Sequence, residues 1–242
     1  MRIGWVKKVK DEGVREQLIE ELVSEHSELS DLDRMSVLVA QLELLDTQRH
    51  VLPHEASSGI TEASAAKIIN AADKLAALVD TSNLAIVLSN RQSASVVSED
   101  EARARRDAAK SRNMLASALT SKCRALAFQV SADSSSDALK EYESAVAQLA
   151  KWSDTSSNPV PDITHLFAAV IPLHMCKSEY AQALMALSMW TKLAPMTRAN
   201  AAGWKTVAVL QIQLLAKLGW SAWADNFKNR LFEECPGVRV PS

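Results

Sequence analysis

The 242-residue chain carries 27 Lys and Arg against 29 Asp and Glu, a formal charge of −2. That balance gives no global field to draw in nucleic acid or an anionic membrane. Six scattered glycines supply no phosphate cradle of the P-loop or Rossmann kind. The odd set Cys123, Cys176 and Cys235 argues against a disulfide framework and for a reducing compartment, cytosol or nucleus.

The straight-chain residues that dominate the composition lose little rotamer freedom in a helix. The expected class is therefore all-α, an array of antiparallel helical hairpins with helical-repeat character. Residues 5–25 place Val14, Leu18, Ile19 and Leu22 on one side of a first helix. Residues 31–49 repeat the pattern with Met35, Leu38, Leu42 and Leu45, with Asp31 as the expected N-cap. Val51 to Gly59 breaks the period and reads as a loop. From Thr61, the positions Ala65, Ile68, Ile69, Ala72, Leu75, Ala76 and Val79 follow the spacing of one buried helical face. A compact helix over Leu84 to Leu88 follows.

Ser98-Glu99-Asp100-Glu101 has the form of a capping box opening a long helix. The first half of that helix is charged (Arg103, Arg105, Arg106, Asp107, Lys110, Arg112) and its second half is apolar at Leu115, Leu119, Cys123, Leu126 and Val130. A serine-rich turn, Ser131 to Ser136, leads to a helix with Leu139, Tyr142, Val146, Leu149 and Trp152. The stretch 153–161, with Pro159 and Pro161 among turn formers, is the expected connection between an N-terminal array (1–152) and C-terminal hairpins (162–242) that continue it. Helices are expected at 162–175, 178–193, 197–217 and 220–233, with Pro172 kinking or ending the first.

Trp204 opens an apolar stripe running into Leu218-Gly219-Trp220-Ser221-Ala222-Trp223, and a second stripe passes through Phe227 and Leu231. Gly219, free to take the left-handed conformation, is the expected joint of a helical hairpin. Ser178 to Ala183 and Gly219 to Ala224 each resemble a tetratricopeptide helix, but the 34-residue period of that repeat cannot be followed beyond the pair.

Chemistry is marked mostly by absences. No Gly-x-Ser-x-Gly turn is present. His50 and His54 have the spacing of a metal pair on a helix, but Pro53 between them makes them loop histidines. His174 and Cys176 fall on different sides of a helix, and Cys123 sits on an apolar stripe as a small hydrophobe. The basic cluster Arg103 to Arg112 lacks aromatic residues for base stacking and reads as a solvated face, with docking to an acidic protein surface as its binding alternative. No catalytic residue, cofactor site or metal site is expected in the chain. The longest uncharged apolar runs, Leu84 to Leu88 and Phe167 to Ile171, fall far short of the roughly 18 to 20 residues a membrane span needs.

A set of landmarks resembles, in order, the C-terminal helical region of the tripeptidyl-peptidase II family of subtilisin-like serine exopeptidases. They are Leu42-Glu43-Leu44-Leu45-Asp46, Asn70-Ala71-Ala72-Asp73, Val79-Asp80 with Leu84-Ala85, Lys122-Cys123-Arg124-Ala125-Leu126-Ala127 and Lys151-Trp152-Ser153-Asp154. Trp204, Leu218-Gly219-Trp220 and Phe227 close the series, which covers nearly the whole chain. The resemblance implies a fragment or separately encoded remnant of a cytosolic peptidase that removes tripeptides from the N-termini of oligopeptides. Its Asp, His and Ser triad lies upstream and matches no position here. The helical region is linked in that family to building a giant homo-oligomer, so Trp204, Leu218, Gly219, Trp220, Trp223 and Phe227 are the expected interface residues. The competing reading is a free-standing, tetratricopeptide-like adaptor that binds a protein partner.

Overall fold

A computed structural model describes residues 13–14, 17–19, 21, 30–46, 60–79, 98–132, 136–152, 161–193 and 201–234. The expectations for 51–59, for the helix 84–88, and for His50, His54 and Cys235 lie outside them. Among the described residues the regular structure is all α-helix: α1 (Asp31–Leu45), α2 (Glu62–Leu78), α3 (Glu99–Ala132), α4 (Ser136–Trp152), α5 (Pro161–Cys176), α6 (Tyr180–Leu193), α7 (Ala201–Lys217) and α8 (Ser221–Glu234).

Side-chain caps set the helix starts. Ser30, not Asp31, is the N-cap of α1: its hydroxyl accepts from the Asp33 amide at 3.3 Å, leaving Asp31 in the first turn. A first-turn carboxylate favours the positive end of the helix dipole, so Asp31 contributes there without capping. Thr61 and Ser64 close a reciprocal box at the start of α2. At α3 only half the expected box forms. The Ser98 hydroxyl accepts from the Glu101 amide at 3.2 Å, whereas the Glu101 carboxylate pairs with Arg105 one turn on. An arginine at i+4 offers a charged donor in place of a backbone amide.

The 34-residue α3, about 51 Å long, is the spine of the first core and packs against α1, α2, α4 and α5. It extends through Ser131 to Ala132, and α4 begins at Ser136, so the serine-rich turn is shorter than expected. The predicted stripes meet there: Leu38 and Leu42 of α1, Ile68 and Leu75 of α2, Leu119 and Leu126 of α3, and Leu149 of α4 are essentially inaccessible. Ile19 buries against Val37 on the other side of α1. Tyr142 is fully buried and its hydroxyl donates to the Ala169 carbonyl at 2.9 Å, tying α4 to α5. Burial pushes its ionisation well above the usual tyrosine range.

The helix α5 runs through buried Pro172 to Cys176 and does not end there. The proline removes one amide bond in the last turns, and packing of Ala169 and Leu173 into the first core and of Ile171 into the second holds both sides of it in place. The second core joins α5, α6 and α7 around a stacked pair, Phe167 and Trp190, with ring centroids 6.4 Å apart. On its other side α7 turns Ala208, Ile212 and Leu215 toward Ala224 and Leu231 of α8. An α-helix buried on two faces is apolar nearly all round, as α7 is.

The two C-terminal helix pairs share one joint. At the end of α5 the Glu179 amide donates to the His174 carbonyl and the Ser178 amide to Met175. At the end of α7 the Trp220 amide donates to Leu215 and the Gly219 amide to Ala216. Both are Schellman closures, with the left-handed residue at Ser178 (φ 58°) and Gly219 (φ 78°). In both, the next carbonyl starts the following helix, Glu179 to the Ala183 amide and Trp220 to the Ala224 amide. The offset that carries Ser178 onto Gly219 also carries α6 (180–193) onto α8 (221–234), end to end. Ala183 and Ala224, both buried, occupy the same place and let the paired helix approach closely. The structural period, from 178 to 219, is thus longer than that of a tetratricopeptide.

Candidate interaction surface

The correspondence between the two joints isolates what each adds to a shared backbone. At the first, the side chains are tied inward. The Glu179 carboxylate meets His174 Nδ1 at 2.7 Å and Lys177 Nζ at 3.5 Å, and Lys177 reaches Glu143 of α4 at 3.1 Å. The hydrogen bond from His174, with Lys177 beside it, holds the Glu179 carboxyl below its ordinary value, and the bond to Glu143 raises Lys177. At the second joint the place of Glu179 is taken by Trp220 and that of His174 by Leu215. Among the described residues no ion pair covers this turn. Trp220 is 54% exposed and Trp223, in the first turn of α8, 68% exposed.

The expected interface residues are therefore distributed as follows. Trp220 and Trp223 lie together at the surface of the joint. Gly219 is the left-handed residue beneath them, and a Cβ built on it would meet nothing within 4 Å. Leu218 is half-buried in the turn. Phe227, half-buried, packs against the small core of α7 and α8. Trp204 lies in α7, with its side chain outside the described residues.

Sequence reasoning missed a second apolar stripe. Met185 (67% exposed), Met189 (53%) and Leu193 stand on the outer face of α6 at spacings of four, while Ala183, Ala186, Leu187 and Trp190 fill its inner face. A helix apolar on two faces was the available signal. The matching positions on α8 are Asn226, Arg230 and Glu234, so the fold does not require apolar side chains there.

The landmarks of the N-terminal array also meet in space. Arg124 Nε donates to both carboxylate oxygens of Asp46, at 3.2 and 3.0 Å, with both side chains almost fully buried. Lys122, two residues earlier, bridges Asp73 of α2 at 2.7 Å and Glu141 of α4 at 2.9 Å. Partial burial lowers the affinity of Lys122 for its proton, and the bonds to the two carboxylates outweigh that and raise it. Between them Cys123 is buried, and burial raises its thiol to about 12 despite neighbouring Lys122. These residues clamp α3 to the helices on either side. They are not a reactive site: a thiol raised so far is a poor nucleophile.

Cys123 and Cys176 are free thiols. Among the described residues no cluster of His, Cys, Asp or Glu could hold a metal ion, and no helix is long and apolar enough to cross a membrane. Comparison with protein-family models, with curated proteins and with solved structures gives no match.

Proposed function

We propose that this chain is a non-catalytic helical domain of a tripeptidyl-peptidase II-like serine peptidase, acting through subunit association in the cytosol, with oligopeptide hydrolysis carried out by a subtilisin-like domain elsewhere in the parent protein. The observation that carries the association role is the joint between α7 and α8, where Trp220 and Trp223 are both more than half exposed. Exposed tryptophans on a rigid turn supply large contact area at small entropic loss, the property of interface anchors. The family reading rests on the ordered landmarks. Their pairing as Asp46 with Arg124 and Asp73 with Lys122 gives those residue types at those spacings a common packing purpose.

Association is tested by sedimentation of the chain against a Trp220→Ala, Trp223→Ala double variant. Self-association that weakens by roughly tenfold or more in the variant, with an unchanged helical circular dichroism spectrum, is the expected result. A chain that stays monomeric at high concentration would overturn the association role. The family reading is tested separately, by the mass of the endogenous polypeptide in an immunoblot against the 204–242 region. It expects a band far above 26.4 kDa. A band at that mass would favour the adaptor reading, for which the exposed Met185, Met189 and Leu193 stripe on α6 would serve as the docking face.

A further inference from the structure

A groove of about 450 Å³ lies between α1 and the charged half of α3, lined by Val39, Ala109 and Met114 along its floor and by Arg106, Lys110 and Asn113 along its lip. Residues 103–112 hold five cations against one acid in a chain whose overall charge is −2. Two of the five are accounted for within the fold, since Arg105 pairs with Glu101 and Arg112 is buried. Arg103, Arg106 and Lys110 are not, and the last two line the groove. Both are exposed, and neither takes part in a salt bridge among the described residues; Asp107, beside them on the same helix, pairs with neither.

Like charges one helical turn apart repel, and no ion pair among the described residues offsets this pair. They stand beside the apolar side chains of Val39 and Met114, and a charge pair at a protein surface is stronger than in bulk water. A carboxylate bound at the lip would relieve the repulsion, and an apolar side chain attached to it would cover Val39 and Met114. From this charge complementarity we infer that the groove between α1 and α3 docks an acidic, amphipathic peptide segment of a partner protein. Carboxylates of that segment pair with Arg106 and Lys110, and its apolar residues lie on Val39, Ala109 and Met114.

The test uses the whole chain and a fluorescein-labelled helical peptide built of leucine and glutamate, with its lysine-for-glutamate analogue and a single-stranded oligonucleotide as comparisons. Fluorescence anisotropy should show the glutamate peptide binding, at least roughly tenfold more tightly than the analogue, with affinity falling as salt rises. An Arg106→Gln, Lys110→Gln double variant should lose roughly tenfold or more in affinity. Both side chains are exposed, so its thermal midpoint should stay that of the parent. Equal binding of the two peptides, undiminished binding by the double variant, or tighter binding of the oligonucleotide would each overturn the inference.

Discussion

The two Schellman joints form a matched pair of backbone sites that differ at the left-handed position, and exchanging the residue type at each isolates one energy. Ser178 holds φ 58° with a Cβ, in a region that disfavours L-residues by about 1–2 kcal/mol. Glycine there removes the strain but loosens the unfolded chain by about 0.4–1 kcal/mol. The hydroxyl of Ser178 receives only a 3.5 Å contact from Tyr180, so little else is lost. Ser178→Gly should therefore stabilise the chain by about 0.5–1 kcal/mol, and Gly219→Ala should destabilise it by a similar amount, because the new Cβ meets no atom within 4 Å. For a chain of this size each change corresponds to about 2–4 °C per kcal/mol in thermal midpoint. Urea unfolding followed by circular dichroism reads both signs on one scale. Two changes of the same sign, or a Gly219→Ala loss above about 3 kcal/mol, would show that side-chain packing and not backbone conformation governs these turns.

Further outcomes follow from the buried charges and the thiol. Removing one partner of the Asp46–Arg124 pair, by Arg124→Ala or Asp46→Ala, should cost about 3–5 kcal/mol by taking this buried partner from the other charge, and a double-mutant cycle should give strong positive coupling. An exposed pair such as Asp137–Lys140 should change stability by less than about 1 kcal/mol in the same assay. The Cys123 thiol, raised to about 12 in the fold, ionises nearer 9 once exposed. Its contribution to stability is thus fully present below about pH 9 and is lost as pH rises toward 12, with the unfolding equilibrium growing by up to about tenfold per pH unit. Lys122, also raised, adds to the loss in the same direction at the alkaline end. In the native state Ellman's reagent should leave Cys123 unmodified, and a Cys123→Ser variant should flatten the alkaline slope.

Helix existence was legible because period is local. The stripe Ala65, Ile68, Ala72 and Leu75 lies buried where its spacing places it, and Gly219 takes the left-handed conformation for which it was singled out. The exchange of Asp31 for Ser30 as cap shows where that reading blurs: adjacent residues can both hold an amide, and only the backbone angle at the boundary selects one. Ser178 was less legible than Gly219, since serine carries no advertisement of a positive φ. Among the expected interface residues, Trp220 and Phe227 read alike as aromatics on a helical stripe, yet one is exposed and the other packs against the core of α7 and α8. Trp220 stands in the joint, before α8 begins at Ser221, so the helical phase that carries Phe227 toward α7 does not carry Trp220 with it. Nor could sequence pair Arg124 with Asp46, 78 positions away, or tell that Arg106 and Lys110 rim a groove while Arg105 does not.

A joint that recurs at Gly219 with the same hydrogen bonds it makes at Ser178 leaves the C-terminal part of the chain adjustable in whole units. Each joint ends one helix and begins the next within a single turn of chain, so it fixes the phase of the helix that follows it. A duplication or excision cut at Ser178 and Gly219 would return the chain to the same backbone state with its helix faces in register. A change of length within the second joint would rotate α8 against α7 and bring Trp223 or its neighbours to a different side. The spacing between these two left-handed residues is, in effect, the unit length in which this surface can be moved.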